Sequence, residues 1–104
     1  MNIELLHIPE CPNSEEAALR LTSALNALGR TDLKVHQVEL ASNSDIAGTA
    51  FAGSPTIALD GVDIFPTGGT TSDLACRIYR TSDGIARLPT AGQIHAALEQ
   101  ILNQ

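Results

Sequence analysis

Two short stretches of this chain carry side chains able to do chemistry. Residues 5–14 read L-L-H-I-P-E-C-P-N-S, and residues 53–61 read G-S-P-T-I-A-L-D-G. In the first, an apolar run ends, Cys11 follows, and a helical pattern begins. A cysteine at a helix N-terminus is a candidate nucleophile, because backbone N–H groups and the helix dipole favour its thiolate. Pro12 suits the first helical position, since it has no N–H to leave unpaired. Ser14 carries a hydroxyl that can donate to the Cys11 sulfur or cap the helix. Two features oppose a thiolate. Glu10, Glu15 and Glu16 are negative neighbours with no basic residue among them. With Asn13 as the N-cap, moreover, Cys11 stands outside the helix and gains less from it.

The other thiol is Cys76. It can resolve a mixed disulfide on Cys11 or share a soft metal with it, since thiolates bind such ions well. It can equally be a small buried apolar side chain, as free cysteine often is. Arg77 beside it can lower its pKa, bind a carboxylate, or be a plain surface arginine. His7, His36 and His95 share no ligand spacing, so no metal site and no cofactor are expected.

Composition narrows the partners. A chain of 104 residues is expected to form one domain, 1–104, with a sizeable core. Aromatics are 3% against 43% hydrophobic residues overall, so Leu, Ile, Val and Ala must fill that core. No aromatic cluster is available to stack bases or sugars. The net charge is −6, with six basic residues of which Lys34 is the single lysine. Phosphate backbones need clustered Lys and Arg, so nucleic acid is not an expected partner, nor is an anionic membrane surface. The N-terminus M-N-I-E-L-L-H lacks the parts of a signal peptide, and no stretch is long enough to span a bilayer. A cytoplasmic location is the expectation. Two cysteines there are more often reactive, metal-binding or buried than a permanent bridge.

The elements that position these residues follow from periodicity. Residues 3–8 read as a strand buried on both faces, with Glu4 as the interruption. A helix follows, with capping-box spacing from Asn13 to Glu16. Its face is Ala17, Leu21, Ala24, Leu25 and Leu28, and Gly29 ends it. Residues 33–40 form the second strand, where a change of parity at Val38 predicts a bulge or an early end. Residues 44–51 form a short helix. Residues 56–59 and 62–65 form a hairpin around Asp60-Gly61, whose residue types tolerate the positive φ of a two-residue turn. Residues 70–80 read as a short helix, with an extended Cys76–Tyr79 as the alternative. Thr90 and Gln93 have capping-box spacing ahead of a last helix with Ile94, Leu98, Ile101 and Leu102 on one face. The expected architecture is α/β: a four-stranded mixed sheet in order 2-1-3-4, with the third strand antiparallel to the first and helices on both faces.

Cys11-Pro12-Asn13, Gly53-Ser54-Pro55-Thr56, Asp60-Gly61 and Cys76-Arg77-Ile78-Tyr79 occur in this order along the whole chain. In that order and spacing the chain resembles a small thioredoxin-like family of bacterial proteins, some of them labelled as related to alkylmercury lyases. The resemblance implies a thioredoxin-like fold in which Pro55 follows a cis bond and faces Cys11. Proline lowers the cost of a cis bond to about 0.5–1 kcal/mol, which makes one feasible there. Ser54, Pro55 and Thr56 would then offer a backbone edge, with Pro12, to a small thiol such as glutathione or to an extended peptide. Ser14 stands where a redox member has its second cysteine, so chemistry at Cys11, Ser14 and Cys76 would be monothiol exchange. Glu10 replaces the aromatic residue that redox thioredoxins carry before the first cysteine. Organomercurial handling would need Cys11, Cys76 and a proton donor such as Asp73 to converge. A binding module that kept the fold and lost the chemistry is the third reading. Because residues 70–80 follow the outer strand of the hairpin, the two sulfurs are expected to be too far apart to bond.

Overall fold

The structure is a computed structural model, described here for residues 2–65, 77–81 and 84–103. Its elements are β1 (Ile3–His7), α1 (Ser14–Ala27), β2 (Val35–Glu39), α2 (Asn43–Ile46), β3 (Thr56–Leu59), β4 (Val62–Asp63), β5 (Tyr79–Thr81), β6 (Gly84–Ala86) and α3 (Ala91–Leu102). The main sheet has the order β2-β1-β3-β4. β1 pairs parallel with β2 from Ile3↔Val35 to His7↔Glu39, and antiparallel with β3 from Ile3↔Leu59 to Leu6↔Thr56. The sequence expectation of a four-stranded mixed α/β sheet in this order holds. Asp60 and Gly61 turn β3 into β4 with φ of 51° and 82°, the double positive φ that a tight hairpin requires.

Alternation along the strands divides the interior in two. Ile3, Leu5, Ile57 and Leu59 pack with Ala17, Leu21, Ala24 and Leu25 of α1 and with Ile94 and Leu98 of α3. Leu6 and Ala58 face the other way and pack with Leu40, Ile46 and Phe51. Full burial of a Leu, Ile or Phe side chain stabilises by about 1.5–3 kcal/mol, which explains why the central strand is apolar on both faces.

The parity change in the second strand has this same cause. The β1–β2 register runs without interruption, so there is no bulge. Leu33 and Val35 join the α1–α3 side, while Val38 and Leu40 join the Phe51 side. The second helix is shorter than expected. Ser42 caps it by accepting from the Asp45 N–H, and Ala47 leaves helical geometry at ψ 131°. Phe51 reaches the core from the following loop and is fully buried.

The two capping boxes part company. Thr90 and Gln93 make both reciprocal bonds, at 3.0 and 2.9 Å. Asn13 is the N-cap of α1 but has φ −101° and ψ −8°, and its side chain caps nothing. An N-cap side chain reaches the N2 or N3 amide from extended backbone, which Asn13 does not adopt. Pro12 therefore precedes the cap and is not the first helical residue. The expected helix over 70–80 is also corrected where residues are described. Tyr79–Thr81 is β5, and it pairs antiparallel with β6 as a separate two-stranded sheet. The pinning of Arg77 and Tyr79, described next, holds this segment extended.

Candidate functional site

Antiparallel pairing of β1 with β3 sets the C-terminal end of β1 beside the N-terminal end of β3, at Leu6↔Thr56. The Cys11 turn and the Pro55 loop thus meet at one end of the sheet. The Ser54–Pro55 bond is cis. Ser54 Oγ accepts from the Ile8 N–H at 3.1 Å, which fastens the loop to the backbone leading to Cys11.

The chain turns at Glu10, whose φ of 58° is left-handed, an uncommon choice for a residue other than glycine. The Cys11 N–H donates to the Ile8 carbonyl at 3.3 Å. The Ser14 hydroxyl donates to the Cys11 carbonyl at 3.1 Å, and the Ser14 N–H reaches the same oxygen at 3.4 Å. The serine therefore serves the backbone carbonyl of Cys11, and neither bonds the sulfur nor caps α1, the two roles its position allowed. Cys11 is 8% exposed, just below the surface, while Pro12 is exposed.

The Pro55 loop is held differently. Ser54, Pro55 and Thr56 are all buried. The Thr56 hydroxyl donates to the Gly53 carbonyl and accepts from the Ala52 N–H, so it shapes the loop and offers nothing to solvent. The Ser54 carbonyl accepts from the Arg77 N–H at 2.9 Å, and the Pro55 carbonyl accepts from the Tyr79 hydroxyl. Gly53 has φ +116°, and a Cβ placed on it would lie 2.7 Å from the Arg77 Cβ. Both the conformation and the close approach require glycine.

Of the roles open to Arg77, carboxylate binding holds and the plain surface arginine does not, since the residue is 4% exposed. Its guanidinium pairs with Asp63 at 2.9 Å, donates to the Phe65 carbonyl, and lies 4.6 Å over the Tyr79 ring. The contact with Asp63 is an ion pair without hydrogen-bond alignment, and Nε has no hydrogen-bond partner among the described residues. Tyr79 meets Phe65 edge-on at 5.6 Å. Burial pushes the Tyr79 phenol far above its usual range. Burial also raises the Asp63 carboxyl, against the opposing pull of the Phe65 N–H and of Arg77. A signal for this cluster was present: Phe65 and Tyr79 are two of only three aromatic residues in the chain.

Cys76 and Asp73 lie outside the described residues. The expectation of unbonded sulfurs rested on this segment staying beyond the hairpin. Arg77 sits instead on the Ser54 loop, so that ground no longer holds. The histidines do not converge: His7 ends β1, His36 is exposed on β2, and His95 pairs with Glu99 on α3 at 3.5 Å. Among the described residues no three His, Cys, Asp or Glu side chains gather as metal ligands, and no helix is long and apolar enough to cross a membrane. Compared with protein families, curated proteins and solved structures, the chain matches none.

Proposed function

We propose that the chain is a thioredoxin-like domain in which Cys11 performs monothiol exchange with a small thiol of the cytoplasm. The observation that carries this reading is the Ile8–Ser54 bond, which fastens the Pro55 loop to the backbone turn bearing Cys11. The sheet order and the place of Cys11 between the central strand and α1 support it. In the exchange, the Cys11 thiolate attacks one sulfur of a disulfide RS–SR. A Cys11–SR bond forms, the RS–SR bond breaks, and RS⁻ leaves and takes up a proton. With Ser14 in the second position, an external thiolate R′S⁻ must then attack the mixed disulfide, so that an R′S–SR bond forms, the Cys11–SR bond breaks and Cys11 returns as the thiolate.

Two observations favour a second reading, a binding module without thiol chemistry: Cys11 is nearly buried, and the Pro55 loop is covered. Organomercurial handling would join Cys11 to Cys76 and Asp73, and metal titration of the reduced chain tests it. Incubation with oxidised glutathione, read by mass spectrometry, separates the first two. Monothiol exchange yields a glutathione adduct that Cys11→Ser abolishes and Cys76→Ser does not. Absence of an adduct on Cys11 in the folded chain leaves the binding module.

A further inference from the structure

A strand that docks beside a reactive cysteine draws affinity from unpaired main-chain groups on the receiving edge. In this chain both carbonyls of the Ser54–Pro55 edge are occupied. The Ser54 carbonyl takes the Arg77 N–H at 2.9 Å, the Pro55 carbonyl takes the Tyr79 hydroxyl, and the Ser54 hydroxyl takes the Ile8 N–H at 3.1 Å. Proline has no N–H to offer. The Arg77 backbone approaches Gly53 so closely that a Cβ there would lie 2.9 Å from the Arg77 Cα.

The occupying segment is anchored and not merely adjacent. Arg77 is held by Asp63, by the Phe65 carbonyl and by the face of the Tyr79 ring. Tyr79 is held by Pro55 and by the edge of Phe65. Both are almost wholly buried, so lifting them off would expose a guanidinium–carboxylate pair and two aromatic rings together. Cys11, by contrast, is not covered completely: 8% of its surface stays exposed.

We infer that Arg77 and Tyr79 fill the place an extended peptide would take, and so restrict Cys11 to the disulfides of small thiols. The inference rests on the monothiol-exchange reading and names its substrate class. Arg77 and Tyr79 are specificity-determining residues that act through the Ser54–Pro55 backbone, without touching the reacting sulfurs. The exchange itself is unchanged. One Cys11–SR bond forms, one RS–SR bond breaks, and the leaving thiolate takes up the proton that Cys11 released to water.

The test uses the full chain with Cys76→Ser, so that Cys11 is its one thiol. It is mixed with oxidised glutathione and, separately, with the symmetric disulfide of a linear peptide carrying one central cysteine. The adduct on Cys11 is followed by mass, and the same reactions on the chain unfolded in urea give the intrinsic ratio of the two disulfides. Folding is expected to raise the preference for glutathione disulfide about tenfold over that ratio, the size of effect that one unmade buried hydrogen bond produces. Tyr79→Phe, which removes the hydroxyl from the Pro55 carbonyl, is expected to speed the peptide reaction relative to the glutathione reaction. The wild-type ratio decides the question even where Tyr79→Phe does not fold. Equal ratios in the folded and unfolded chain overturn the inference and leave monothiol exchange standing. No adduct from either disulfide on the folded chain overturns both.

Discussion

The Cys11 turn and the Pro55 loop share one end of the sheet and are held in opposite ways. The turn hangs on three bonds of 3.1 to 3.4 Å, made among near neighbours in sequence and close to solvent. The loop is gripped by residues far along the chain, through a buried ion pair, a cation over a ring, and hydroxyl and amide donors to its carbonyls. Local neutral bonds each contribute about 0.5–1.5 kcal/mol, whereas breaking a buried charge pair by removing one partner costs about 3–5 kcal/mol. The rigid member of the pair is therefore the frame, and the reactive sulfur sits on the member that yields more easily.

The largest expected effect comes from breaking the frame. Arg77→Ala removes the partner of Asp63, the donor to the Phe65 carbonyl and the cation on Tyr79, and should cost about 3 kcal/mol in urea unfolding. A loss as small as that of a surface substitution would mean that the grip on the Pro55 loop is not where its strength lies.

A smaller effect is expected at the turn. Ser14→Ala deletes one hydrogen bond to the Cys11 carbonyl and should cost about 1 kcal/mol. Because that hydroxyl serves a carbonyl, the pH profile of Cys11 alkylation should not move. A shifted profile would place the hydroxyl on the sulfur and erase much of the contrast between the two regions.

The smallest effect is a pH dependence confined to the frame. Burial holds the folded pKa of Asp63 above its unfolded value. Its contribution is then complete below the unfolded pKa and is lost as pH rises through the folded one. Asp63→Asn should remove that downward slope from the difference between the two stability curves. A slope of the opposite sign would show that the pull of Arg77 outweighs burial.

Most of the main sheet was legible because its signals are local. Apolar runs marked β1 and β3, Asp60-Gly61 marked the hairpin, and Thr90 with Gln93 marked the start of α3. The errors fell where a local pattern had a distant cause. Val38 changed parity because β2 serves two cores, and Asn13 failed as a cap because the Glu10 turn delivers it in helical geometry. Residues 70–80 read as a short helix with an extended Cys76–Tyr79 as the alternative, and for the described residues of that segment the partners from β4 and the Pro55 loop decide for extended chain. The site divides in the same manner: Cys11 and Pro55 stood out in the sequence, while Arg77 was open between a carboxylate binder and a plain surface arginine.

What the sequence by itself determined is the β-α-β unit, the hairpin that follows it, and the order of strands they build, because period, turn chemistry and crossover handedness act over a few residues. What only the tertiary structure decided is that the loop at Pro55 is already occupied. That outcome depends on a guanidinium, a carboxylate and a phenol meeting from β4, the chain before β5 and β5 itself. Their burial is favourable only when all are present at once, and no spacing along the chain records that condition.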